Sequence, residues 1–150
     1  MFQKKVLMSW KINFLDHTAD IAVDVEADSL DELFTASAHS WRESISDDEN
    51  SLSTERRSLV MSDDDLEILL VSFLSELNYV YQSESWIMDS VHALQINKKD
   101  GVWYLGVELV GHTFNRDRAN IKTEIKAITY HQMNITELNG KFFTKIVFDI

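Results

Sequence analysis

The chain has 150 residues, 45 % of them apolar, with 14 basic and 25 acidic side chains and a formal charge of −11. That length fits one domain with its own core, and the acidic balance argues against strong direct binding of nucleic acid, favouring a basic protein or a divalent cation as partner. The lack of cysteine excludes a disulfide framework, a cysteine zinc site and a thiol nucleophile.

The start of residues 1–13, Met1 to Trp10, is too short and too polar for a signal peptide or a membrane span, so a cytoplasmic location without a membrane partner is expected. Residues 1–13 form an N-terminal extension or, through Trp10 and Ile12, a first strand region. Next comes Phe14-Leu15-Asp16-His17-Thr18-Ala19-Asp20, a dense polar cluster. Ile21, Val23 and Val25 then alternate with Ala22, Asp24 and Glu26, the period of a half-buried strand. Asp20 falls where loop becomes strand, with Asp16, His17 and Thr18 shaping the turn.

Ser29 and Glu32 have the spacing of a capping box. Leu30, Leu33, Phe34, Ala38, Trp41 and Ile45 follow at helical intervals, which predicts an amphipathic helix over 29–45. The acidic stretch 46–51 reads as a solvated loop. A short strand is expected over 56–61. Ser62 is then expected to cap a second helix, with Asp63, Asp64 and Asp65 in its first turn. Its stripe of Leu66, Leu69, Leu70, Phe73, Leu74, Leu77, Val80 and Tyr81 makes it the expected main core helix.

The C-terminal half reads as strands. Asp100-Gly101 and Asn139-Gly140 are hairpin turns that want positive φ at both central positions. They join 91–98 to 102–110, and 125–138 to 141–149. The alternation Ile125, Ala127, Thr129, His131, Met133, Ile135 predicts one long strand with His131 on its apolar face, as a hydrogen-bonded core histidine. The loop 111–120 carries His112, Arg116 and Arg118 in an otherwise acidic protein, a functional or a plain surface connection. The expected class is α+β: one domain with a largely antiparallel sheet and two amphipathic helices on one face.

No histidine has a ligand spacing, and there is no nucleophile elbow or phosphate loop. Activity as an enzyme in its own right is therefore not expected. Phe148-Asp149-Ile150 places the Asp149 side chain beside the α-carboxylate of Ile150. If that end meets the first strand, Asp20 becomes a third carboxylate. Like charges about 4 Å apart repel by roughly 4 kcal/mol at an effective dielectric near 20, so such a cluster must protonate, spread apart or recruit a cation, a hard one such as Ca²⁺ or Mg²⁺.

Five stretches, in order, resemble the archease family. They are His17-Thr18-Ala19-Asp20-Ile21-Ala22, Ser29-Leu30-Asp31-Glu32-Leu33-Phe34, Leu69 to Leu77, Ile125-Lys126-Ala127-Ile128-Thr129-Tyr130-His131, and Val147-Phe148-Asp149-Ile150. The resemblance implies an archease-like domain over 14–150 whose fold is a sheet flanked by two helices. It also implies an accessory protein that activates the GTP-dependent RNA ligase of the RtcB type in tRNA splicing and RNA repair. Such a protein promotes ligase guanylylation and multiple turnover without performing ligation.

The resemblance further implies a divalent metal site at Asp20, Asp149 and Ile150, taking Ca²⁺ ahead of Mg²⁺ or Mn²⁺. His17, Thr18, Lys126 and His131 are the supporting positions. The chain departs from the family pattern at Gly111-His112, where a glycine–acidic pair is usual, and fits it loosely over 116–120. Two alternatives stand beside this reading: a stand-alone metal-dependent hydrolase using Asp20, Asp24 and Asp149, and a general chaperone or interaction module.

Overall fold

The computed structural model describes residues 9–15, 19–47 and 54–150. Strand β1 (Trp10–Leu15) pairs with β2 (Asp20–Ala27), so Trp10 and Ile12 lie within a strand. Ser29 caps helix α1 (Leu30–Ile45): its hydroxyl accepts from the Glu32 amide at 3.1 Å and donates to the Glu32 carboxylate. Ser9 also donates to that carboxylate, tying the entry of β1 to the helix start. Most of the loop expected at 46–51 lies outside the described residues.

Strand β3 runs Glu55–Asp63, longer than its apolar pattern suggests. Helix α2 (Leu66–Glu84) is capped by Asp65 and not by Ser62. Asp65 accepts from the Ile68 amide at 2.9 Å, while Asp63 accepts from the Asp65 amide at 2.9 Å. The acidic run thus folds into a turn ahead of the helix. An Asx turn at Asp63 outcompetes helix entry three residues earlier.

Both hairpins form where the dipeptides place them. Asp100 and Gly101 have φ of 52° and 79°, and join β4 (Trp86–Lys99) to β5 (Val102–Thr113). Asn139 and Gly140, at 54° and 78°, lead into β8 (Lys141–Asp149).

The segment 125–138 is not one strand. It pairs with β8 as two pieces, β6 (Ala127–Ile128) and β7 (Thr136–Leu138). Eight steps along this segment, from Ile128 to Thr136, match five along β8, from Phe148 to Phe143. Three extra residues are looped out between them. Gln132 takes φ of 65° in that loop, closed by a bond from the Met133 amide to the Tyr130 carbonyl. Tyr130 donates to Asp65, and the Ile135 amide donates to Glu67, so the excursion is tied to the start of α2.

The strands divide between two sheets, all pairings among described residues being antiparallel. The larger has the order β1-β2-β8-β6, with β7 also on β8; the smaller is β3-β5-β4. Helix α1 packs on β2 and β4, and α2 on β3, β4, β5 and β6, so each helix touches both sheets. One core results, with Trp41, Tyr81, Phe34, Phe73 and Phe148 as its largest fully buried side chains. The α+β class with two helices and antiparallel sheet is as the patterning predicts.

Candidate functional site

Strand β2 keeps its alternation: Val23 and Val25 are buried and Asp24 is exposed, although Ala22 on the polar side is covered as well. Its first residue, Asp20, stands directly opposite Asp149 of β8. Residues opposed in an antiparallel ladder share a face, with Cβ atoms about 5 Å apart. Two residues from opposite ends of the chain are therefore brought side by side, Asp20 half-buried and Asp149 exposed. Like charges in such a pair destabilise a sheet. Ile150 follows directly, 38 % exposed.

These donors are all oxygen, which suits Ca²⁺, Mg²⁺ or Mn²⁺ and not a softer ion. Among the described residues no three His, Asp or Glu side chains group as a metal site. The two aspartates would thus need the main-chain oxygens of Ile150, water or a partner's groups to fill a coordination sphere. Asp24 cannot join them. It lies four residues up the strand from Asp20, roughly 13 Å away, in register with Lys145. That separation removes the carboxylate set on which the hydrolase alternative depended. A cleft of about 590 Å³ opens nearby, lined by Asn13, Asp24, Thr136, Phe143 and Lys145 among others. Its lining includes neither Asp20 nor Asp149.

The Asp149 end is held from the β6 side. The Lys126 amide donates to the Asp149 carbonyl at 2.7 Å, and Ala127 is in register with Asp149. One residue earlier, the Ile125 carbonyl accepts from Asn78 at 2.9 Å and from Gln82 at 3.0 Å. Asn78 accepts in turn from the Trp41 indole at 3.0 Å. The sequence reading passed over Asn78, although a signal was there: a polar residue inside the apolar stripe between Leu74 and Tyr81. Of the supporting positions, Lys126 acts here through its backbone amide. His131 is exposed in the looped-out turn and is not a core histidine, because the three-residue excursion ends the strand that would have buried it. His17 and Thr18 lie outside the described residues.

A second charged cluster lies where α1 meets the smaller sheet. Asp89 is the extra residue at a bulge in β4. It accepts from Arg42 at 3.0 Å and meets the His112 Nδ1 at 2.6 Å, with the Arg42 and Asp89 side chains 8 % and 13 % exposed. Arg42 also donates to the Ser46 carbonyl at 3.0 Å. Gly111 lets β4 come close at this point: a Cβ there would sit 2.2 Å from the Ile87 carbonyl oxygen and 2.7 Å from the Trp86 ring. Further along the loop, Arg116 stacks over Tyr81 and donates to the Tyr81 and Gln82 carbonyls at 2.8 and 3.0 Å. A cation on the last carbonyls of α2 caps that helix. Arg116 is thus in structural use.

The model of the Archease protein family (MTH1598/TM1083) matches residues 13–150. The chain belongs to the archease family. It is 34 % identical to the archease of Pyrococcus furiosus over 136 residues, 90 % of this chain and 95 % of that protein. The solution structure of Methanobacterium thermoautotrophicum protein 1598 superposes with a TM-score of 0.78 at 25 % identity, covering 93 % of this chain and 98 % of that one. A crystal structure from Thermotoga maritima, described as an archease and possible chaperone, shares the fold. It has a TM-score of 0.57 at 23 % identity, over 91 % and 94 % of the two chains. Among the described residues no helix is long and apolar enough to cross a membrane.

Proposed function

We propose that this chain activates a GTP-dependent RNA ligase of the RtcB type, promoting guanylylation of the ligase and multiple turnover in tRNA splicing and RNA repair. A divalent ion, Ca²⁺ ahead of Mg²⁺ or Mn²⁺, would be held by Asp20, Asp149 and Ile150. The observation that carries this reading is the register pair Asp20–Asp149, in a chain matched to the archease family over 13–150.

A bound ion would supply a positive centre that oxygen donors of a second molecule can complete. The chain's own part is to hold two carboxylates side by side at the ends of two neighbouring strands, with Asp149 exposed. An exposed carboxylate suits contact with a macromolecule better than enclosure of a small substrate. The acidic total fits a protein partner better than direct grip on RNA.

The test is multiple-turnover ligation with the cognate ligase, together with the amount of labelled GMP retained on that ligase. Wild type should raise both. Asp20→Asn and Asp149→Asn should stay folded and raise neither. Full stimulation by both variants would sink the carboxylate mechanism. Suppression of client aggregation without any effect on ligation would favour a chaperone role instead.

A further inference from the structure

We propose that Asn78, assisted by Gln82, is a positioning residue for the Asp20–Asp149 site, a role that rests on the metal reading above. Asn78 is 6 % exposed on the apolar face of α2, where a polar side chain is costly unless its groups are matched. Both ends are matched, and in one direction. The Trp41 indole donates to Asn78 Oδ1, and Asn78 Nδ2 donates to the Ile125 carbonyl, which Gln82 also reaches one turn later. The route from that carbonyl to the site is short. The next residue, Lys126, donates its amide to Asp149, and the one after, Ala127, is the register partner of Asp149.

The tether matters because β6 has only two register pairs with β8, Ala127–Asp149 and Ile128–Phe148. So few pairs do not hold a strand in place unaided. The clamp on Ile125 supplies what the ladder lacks, and it does so from a helix packed in the core. It fixes the Asp149 half of the site, as β2 fixes the Asp20 half. Groups behind a metal ligand that set its orientation change affinity by about 10–100-fold when removed.

The experiment compares wild type with Asn78→Leu, Gln82→Met and a control, Val107→Ala. The control opens a core defect in the smaller sheet, where Val107 is 4 % exposed and is in register with Leu59 of β3 and Leu94 of β4, outside the hydrogen-bonded path to Asp149. Two quantities are measured on folded protein: the affinity for Ca²⁺ and Mn²⁺ by calorimetry, and hydrogen exchange at the Lys126 amide without metal. Asn78→Leu should weaken metal binding about tenfold or more and speed Lys126 exchange. Gln82→Met should move both in the same direction by less, and it carries the test should Asn78→Leu fail to fold. Val107→Ala should move neither.

Wild-type affinity and wild-type Lys126 protection in the folded variants would overturn the positioning role. So would equal losses in Val107→Ala. A wild type that binds no divalent ion overturns the metal reading instead, while Lys126 exchange still decides whether Asn78 holds the Asp149 end.

Discussion

Two clusters of charge in this molecule have opposite construction. Arg42, Asp89 and His112 come from α1, β4 and β5, are largely buried, and meet within hydrogen-bond distance, the Asp89 carboxylate facing the Arg42 cation. Asp20 and Asp149 are two carboxylates placed opposite each other at the ends of neighbouring central strands, one half-buried and one exposed. The first arrangement joins opposite charges and ties the smaller sheet to α1. The second carries a charge pattern that strand pairing disfavours, which suits binding better than support. In an acidic protein, the density of charge thus says less about function than which signs of charge the strand register sets side by side.

The comparison can be broken at either end. The largest effect is expected for Asp89→Ala, which leaves the Arg42 guanidinium buried without its carboxylate. Removing one partner of such a pair costs about 3–5 kcal/mol, and urea unfolding should show that loss in the midpoint. A variant as stable as wild type would mean the cluster is not structural. At the other cluster, Asp20→Asn and Asp149→Asn should leave metal-free stability unchanged or slightly higher. Each should abolish the gain expected of wild type with divalent ion, about 2.7 kcal/mol at 100 times Kd. Thermal melts with and without Ca²⁺ read this directly.

Gly111→Ala should cost about 1–3 kcal/mol by overpacking, since its methyl meets the Ile87 carbonyl and the Trp86 ring. The strain falls beside His112, so its contact with Asp89 should loosen too, visible as a shifted imidazole resonance. The smallest effect concerns His39, which stacks on Trp10 at 5.4 Å. Burial, and then the nearby Arg42 charge, hold its pKa below the ordinary 6.5. The folded protein therefore binds fewer protons there than the unfolded chain. Stability should rise with pH from the lowered folded value up to about 6.5, and fall as pH drops through that window. His39→Phe should flatten that part of the stability–pH curve, and an unchanged slope would remove His39 as its source.

What the sequence makes legible follows the range of the interaction. The hairpins at Asp100-Gly101 and Asn139-Gly140 are local, set by residues that tolerate positive φ, and they form as predicted. The capping box at Ser29 is local as well. The start of α2 was misplaced by three residues because Asp63, Asp64 and Asp65 are all credible caps, and only the competition between them decides. The strand over 125–138 was overextended because its alternation continues through Thr129, His131 and Met133. Gln132 at positive φ gives no compositional warning of the loop there. The pairing of Asp20 with Asp149 is the least local feature of all. It entered the sequence reading as a condition, that the two ends meet, and through family resemblance, since no periodicity links residues so far apart.

The interrupted strand has a consequence for solubility. A continuous strand beside β8 would present a long row of unpaired amides and carbonyls at the sheet edge, a template on which further chains could add. Instead the edge is split into pieces of two and three residues. The looped-out segment between them is fastened to α2 through Tyr130 and Ile135. Along this border a neighbouring molecule finds no long flat register on which to zip. Deleting the three extra residues would therefore join β6 to β7 in one register and trade a protected border for an aggregation-prone one.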